Sequence, residues 1–172
     1  MYIPTRDSLS NDQRTTACVV DQDNLCHRGV DRLTGQRAPR AQLDVLGLAQ
    51  ALHDRGVVRG IICRNWDFPV FADQIWRGLG FDIAAVRSNC DARVVVSLIC
   101  YVEAGFRDLI LCAGDGDYTH AVNMIRRCEN TRVEIWSRRG STSKTLIQAA
   151  NSVRYIDDLL TFPARPSVYE EA

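Results

Sequence analysis

The 172 residues carry 21 basic and 21 acidic side chains, so the formal net charge is zero, and 46% of residues are apolar against 24% charged. A neutral chain does not coat nucleic acid by bulk charge. No apolar run approaches the roughly 20 residues of a membrane span, and the polar stretch Met1 to Arg14 does not read as a secretory signal. One globular domain with a substantial core is expected, with the cytoplasm as its compartment.

The polar segment 1–14 comes first. Thr16 to Val20 is apolar and reads as a strand. Asp21 to Pro39 reads as a polar connection or a short helix with a loop, carrying Arg28, Arg32, Arg37 and, just beyond, Arg40. Ala41 to Arg55 has apolar residues at near-helical spacing and is stopped by Gly56. Val57 to Cys63 reads as a second strand and Phe68 to Leu79 as a helix ended by Gly80. Ile83 to Val86 is a third strand. Asp91 to Ala104 is an apolar helix stopped by Gly105, and Asp108 to Leu111 a fourth strand. Tyr118 to Cys128 reads as a helix, Arg132 to Trp136 as strand five and Ser143 to Asn151 as a helix. Val153 to Ile156 is a candidate sixth strand, and 163–172 is a tail. Strands and helices alternate throughout, which predicts a parallel sheet covered by helices on both faces.

Two acidic turns follow strands in this order. One is Asp21-Gln22-Asp23-Asn24. The other is Ala113-Gly114-Asp115-Gly116-Asp117-Tyr118, between a buried strand and a helix. In open α/β sheets the ligand crevice lies beyond the carboxyl ends of the strands. Carboxylates that converge there repel one another until a hard cation arrives, and Mg²⁺ or Mn²⁺ takes such oxygen ligands. Asp91 opens a helix, where the macrodipole favours a carboxylate facing the same crevice. Asp91 and Asp117 also suit plain helix caps, and Asn24 suits a turn. Thr119 either touches a metal-bound water or merely begins a helix.

The seven cysteines form no Cys-x-x-Cys pair and mostly sit in apolar runs, so they read as buried free thiols. Cys26-His27 lacks zinc-finger spacing. His27 and His120 read as surface or structural groups, and His53 as a favourable charge late in a helix. Lys144 is the single lysine. Arg28, Arg32, Arg37 and Arg40, with Arg138, Arg139 and Lys144, flank the acidic turns and are candidates for a rim that meets phosphate oxygens. Trp66 and Tyr118 are candidates for base stacking. Trp76 and Trp136 fall on core-like positions.

The order and spacing of these pieces, with the closing segment Leu146 to Leu159, resemble the NYN domain. That domain is a branch of the PIN-like nuclease superfamily which includes the LabA-like bacterial proteins. The resemblance runs from Thr16 to Leu160. It implies a PIN-like three-layer α/β/α sandwich over residues 15–162 with a central, mainly parallel sheet. It also implies a metal-dependent ribonuclease, in which Asp21, Asp91, Asp115 and Asp117 hold Mg²⁺ or Mn²⁺ and Asn24 is the asparagine that follows the first acid. RNA, single-stranded or in loops, is the implied partner, with Arg28, Arg32, Arg138, Arg139 and Lys144 as its contacts; a homodimer is left open. Two positions depart from the pattern. Many relatives carry a lysine just before the mid-chain acid, where this chain has Ser88-Asn89-Cys90, and another aspartate six residues after it, where this chain has Ser97. Those departures motivate an alternative, a non-catalytic RNA- or protein-binding module of the same fold. A phosphatase of the haloacid dehalogenase type is a further rival, because Asp21-Gln22-Asp23 follows the first strand. Leu25 at the fifth position of that run and Lys144 after the Gly-Asp element fit that rival poorly.

Overall fold

Thr16–Asp21 forms β1, and every residue of it is buried. A strand with no polar face belongs at the centre of a parallel sheet covered on both sides, and that is its position. The computed structural model describes residues 16–26, 41–66, 70–87 and 89–161. Segments 1–14 and 163–172, and the stretch holding His27, Arg28, Arg32, Arg37 and Arg40, lie outside them.

After β1 come a short helix α1 (Gln22–Cys26), a two-residue strand β2 (Gln42–Leu43) and helix α2 (Val45–Asp54). Helix α2 starts four residues later than the periodicity of 41–55 suggests. Asp44 is the reason: its carboxylate accepts the Gly47 N–H and caps the helix there. β3 (Val57–Asn65), α3 (Val70–Gly78), β4 (Phe81–Val86), α4 (Asp91–Glu103) and β5 (Asp108–Cys112) follow. A 3-10 turn (Gly116–Tyr118) precedes α5 (Thr119–Ile125), where the sequence suggested one helix through Cys128. β6 (Arg132–Ser137), α6 (Lys144–Ala149), β7 (Ser152–Tyr155), a second 3-10 turn (Asp157–Leu159) and β8 (Leu160–Thr161) complete the chain as described. β8 pairs antiparallel with β2 in a two-stranded ribbon.

The main sheet runs β4-β3-β1-β5-β6-β7, with every pairing parallel. The chain builds outward from β1 through β3 and β4, then returns to the other side through β5, β6 and β7. The direction of winding therefore reverses between β1 and β5, and the crevice of such a sheet opens there, beyond the carboxyl ends. Side chains alternate between two cores. Ala17 and Val19 join Leu109, Leu111, Val94, Leu98 and Val122 on the face covered by α4, α5 and α6. Cys18 and Val20 join Ile110, Leu48, Leu52 and Trp76 on the face covered by α2 and α3. By the same period of two, Asp21 follows Ala17 and Val19 onto the α4 and α5 side.

Candidate functional site

Asp21 closes β1 with only 2% of its surface exposed. Its Oδ1 accepts the Asn24 backbone N–H at 3.0 Å, and its Oδ2 accepts the Tyr118 hydroxyl. The same hydroxyl contacts Asp91 Oδ1 at 2.8 Å. Burial pushes the Asp21 carboxyl up to about 6; the bonds from Tyr118 and the Asn24 amide oppose the rise, while Asp23 and Asp91 add to it. Burial and the two carboxylates likewise hold the Tyr118 phenol far above its ordinary range. A phenol has one proton, so it satisfies one carboxylate at a time. The second contact is complete only when that carboxyl brings a proton of its own. Buried Asp21 and half-buried Asp91 thus meet at one phenol, with no cationic side chain among the described residues bonded to either.

Asp91 is held from its other side by Asn89. The Asn89 amide donates to Asp91 Oδ2, and Asn89 Oδ1 accepts the Asp91 N–H at 2.6 Å. This local turn aims the first carboxylate of α4 at Tyr118. Asp115, three residues beyond β5, caps the 3-10 turn by accepting the Asp117 N–H at 3.1 Å. Asn24 straps the two strand ends together across the winding reversal. Its Oδ1 accepts the Gly114 N–H at 2.7 Å, and its Nδ2 reaches Asp115 Oδ2 at 3.5 Å.

The two glycines of this turn are places of close approach. A Cβ at Gly114 would lie 2.5 Å from Ser137 Oγ, and one at Gly116 would lie 2.8 Å from Ser143 Oγ. Ser143 N–H donates to the Gly114 carbonyl at 2.8 Å. The loop from β6 to α6 consequently lies against the acidic turn and brings Arg138, Arg139 and Lys144 to its edge. Arg139 is anchored there through its N–H on the Asp157 carboxylate and its guanidinium 4.6 Å over the Tyr155 ring.

Asp21, Asp91, Asp115 and Asn24 therefore come together, through Tyr118 and Asn24 as intermediaries. Asp117 is exposed, and its backbone N–H is what engages Asp115. Among the described residues, no three of His, Cys, Asp and Glu stand ready as a metal cage. The donor set is nonetheless hard carboxylate and amide oxygen, which suits Mg²⁺ or Mn²⁺ chemically, and two carboxylates meeting at one phenol fit a cation. Asp23 accepts the Cys90 thiol at 3.3 Å. Ser97 is buried beside the Cys63 thiol, whose strand partner is Asp21. Trp76 and Trp136 are core residues as expected.

One sequence expectation is overturned. Tyr118 is fully buried and offers no face for base stacking. Its bridging place between two acids was the part sequence reasoning missed. The signal was present in the apolar positions Tyr118, Ala121, Val122 and Ile125, which mark the inward side of the 3-10 turn and α5, because a buried phenol needs a hydrogen-bond partner. The roles of Asn89, Ser137 and Ser143 left no comparable trace.

A family model for the NYN domain matches residues 15–159. The chain belongs to the NYN domain family. NYN domains are a branch of the PIN-like nucleases, which generally use divalent cations. Among solved structures, a protein of unknown function from Vibrio parahaemolyticus RIMD 2210633 is 24% identical, with a TM-score of 0.69 over 88% of this chain and 99% of that one. A putative HAD family hydrolase from Streptomyces avermitilis MA-4680 is 17% identical, with a TM-score of 0.47 over 88% of this chain and 79% of that one. The first likeness extends to the fold of the NYN domain described above. No curated protein shows significant similarity to the chain. Among the described residues, no helix is long and apolar enough to cross a membrane.

Proposed function

We propose that this NYN domain is a metal-dependent ribonuclease of the LabA-like branch, acting on single-stranded or looped RNA at the crevice between β1 and β5. The observation that carries the reading is the convergence of Asp21, Asp91 and Asp115. They come from a strand end, a helix start and a strand-to-helix turn, on to one phenol and one amide at the winding reversal of the sheet. Three acids gathered there oppose folding unless they serve a charge. Asp21, Asp91 and Asp115 would hold Mg²⁺ or Mn²⁺, with Asp117 close by in sequence. The bound cation supplies a water of lowered pKa and neutralises charge on the scissile phosphate. The chain's own groups set the stage for that chemistry. Tyr118 holds Asp21 and Asp91 in register, Asn89 orients Asp91, and Asn24 keeps the two strand ends at a constant separation. Arg138, Arg139 and Lys144 offer guanidinium and ammonium donors to the RNA backbone, and Arg28 and Arg32 are proposed to extend that rim.

Ser97 favours a second reading. Its buried hydroxyl stands where the family resemblance anticipates another acid, so a site with fewer acids could serve a module that binds RNA without cutting it. Cleavage of a labelled single-stranded RNA in Mn²⁺, Mg²⁺ or chelator, beside the Asp115→Asn protein, separates the two. Metal-dependent products from wild type alone are expected. Full activity of Asp115→Asn would sink the proposed site. No products from either protein, with RNA binding unaffected by chelator, would favour the binding module.

A further inference from the structure

Trp66 follows the last residue of β3, at the carboxyl end of the sheet, and 63% of it is exposed. It is the sole exposed tryptophan, since Trp76 and Trp136 are fully buried. A large aromatic in water is unremarkable on a mobile loop, but the backbone of Trp66 is secured from both sides. Its N–H donates to the Val86 carbonyl at 2.8 Å, extending the β3–β4 ladder by one bond. Its carbonyl and that of Asn65 accept Nη1 of Arg64 at 3.4 and 2.8 Å. Arg64 is itself fixed. It is 4% exposed and makes a two-pronged pair with Asp73 of α3, with Nε to Oδ1 at 2.7 Å and Nη2 to Oδ2. A buried ion pair of this kind contributes little net stability compared with an apolar pair of the same size. What it does here is hold two carbonyls, and so the backbone that carries the indole, in a constant place.

Arg87, just beyond β4, puts its guanidinium 5.7 Å from the centroid of the Trp66 ring. Asp21 pairs with Cys63 in the neighbouring strand. Trp66 lies three residues further along, on the order of 10 Å by strand rise, and that odd step gives it the parity of Arg64, on the α3 side of the sheet, whereas Asp21 faces α4. An exposed indole on a held backbone, with a guanidinium over its ring and at the carboxyl end of the sheet, suits one kind of ligand.

We propose that Trp66 and Arg87 form a base-stacking subsite for single-stranded RNA, with the indole taking an unpaired base and Arg87 the adjoining phosphate. The assignment rests on the ribonuclease reading and places the strand's path across the β3–β4 side of the crevice, opposite the Arg138–Arg139 edge. Stacking on an aromatic ring is tolerant of sequence, so the subsite selects unpaired over duplex RNA and not one base over another.

The test uses the full chain in chelator, so that binding is read without cleavage. The probe is a short fluorescein-labelled oligouridylate followed by anisotropy, with intrinsic tryptophan emission as a second channel. Wild-type emission is expected to be quenched on binding. Trp66→Ala is expected to weaken binding by roughly five- to 150-fold with an unchanged salt slope, and Trp66→Phe, which keeps a π-face, to recover most of it. Arg87→Ala is expected to lower the salt slope by about one. Near-UV circular dichroism from buried Trp76 and Trp136 checks that each variant is folded. Wild-type affinity in Trp66→Ala, or a Trp66→Phe protein as weak as Trp66→Ala, would overturn the subsite. With cleavage still dependent on Asp115, the nuclease reading would survive that result. Failure of wild type to bind or cut RNA at all would overturn both.

Discussion

At the scale of single residues, the site is governed by one phenol hydroxyl placed between two carboxylates. The Asp21 carboxyl sits at about 6 in the folded chain against an ordinary 3.8, so between those values the folded state binds more protons than the unfolded one. Stability therefore falls as pH rises through that window and levels off above it. At neutral pH the cost is roughly 3 kcal/mol. Asp21→Asn removes that charge while its amide oxygen still accepts the Asn24 N–H. The variant is expected to be more stable at pH 7, by up to about 3 kcal/mol, and to lose the slope between pH 4 and 6. Urea midpoints measured across pH check both effects. A variant less stable than wild type at pH 7 would mean that Asp21 is compensated by something other than Tyr118 and Asn24. The same substitution is expected to abolish cleavage.

At the scale of elements, the acidic turn after β5 and the loop between β6 and α6 behave as one unit, because two glycines let their backbones meet. Gly114→Ala would put a methyl carbon 2.5 Å from Ser137 Oγ and 3.3 Å from the Thr142 Cα. Ser137 is buried, so its hydroxyl has little room to give way. The expected cost is about 1–3 kcal/mol, read from urea unfolding, together with loss of RNA affinity as Arg138 and Arg139 shift. Ser137→Ala in the same chain is expected to recover part of the stability. Equal stability of Gly114→Ala and wild type would show that the loop is not held against the turn. Here the sequence was only half legible. Gly-Asp-Gly-Asp announces a tight strand-to-helix turn, but nothing in 138–143 says which turn it packs on.

At the scale of the whole molecule, a net charge of zero leaves RNA affinity to local patches. The parallel sheet gathers Arg138, Arg139 and Lys144 at one end and leaves the acids between them and β3. Replacing Arg138 and Arg139 together with alanine is expected to weaken binding of single-stranded RNA more at low salt than at high salt. The slope of log affinity against log salt should fall by about one to two, since each phosphate contact releases less than one counterion. An unchanged slope would remove these residues from the binding face.

Local patterning of the chain was sufficient for the alternation of strands and helices, for the all-apolar β1, and for acids at the ends of β1 and β5. It also put the two tryptophans in the core, since hydrophobic period and burial are properties of neighbouring residues. The two-residue strands β2 and β8 are too short to carry any period, so their pairing was invisible. The order of strands, and with it the winding reversal between β1 and β5, depends on which edges meet after the chain has folded. That order alone brings Asn24 to Gly114 and Asp115, some 90 residues away, and turns Tyr118 from a candidate stacking ring into the buried link between Asp21 and Asp91. Residue types named the acids; the sheet decided which of them meet at one phenol, because hydrogen-bond distances between remote segments exist only once the segments are packed.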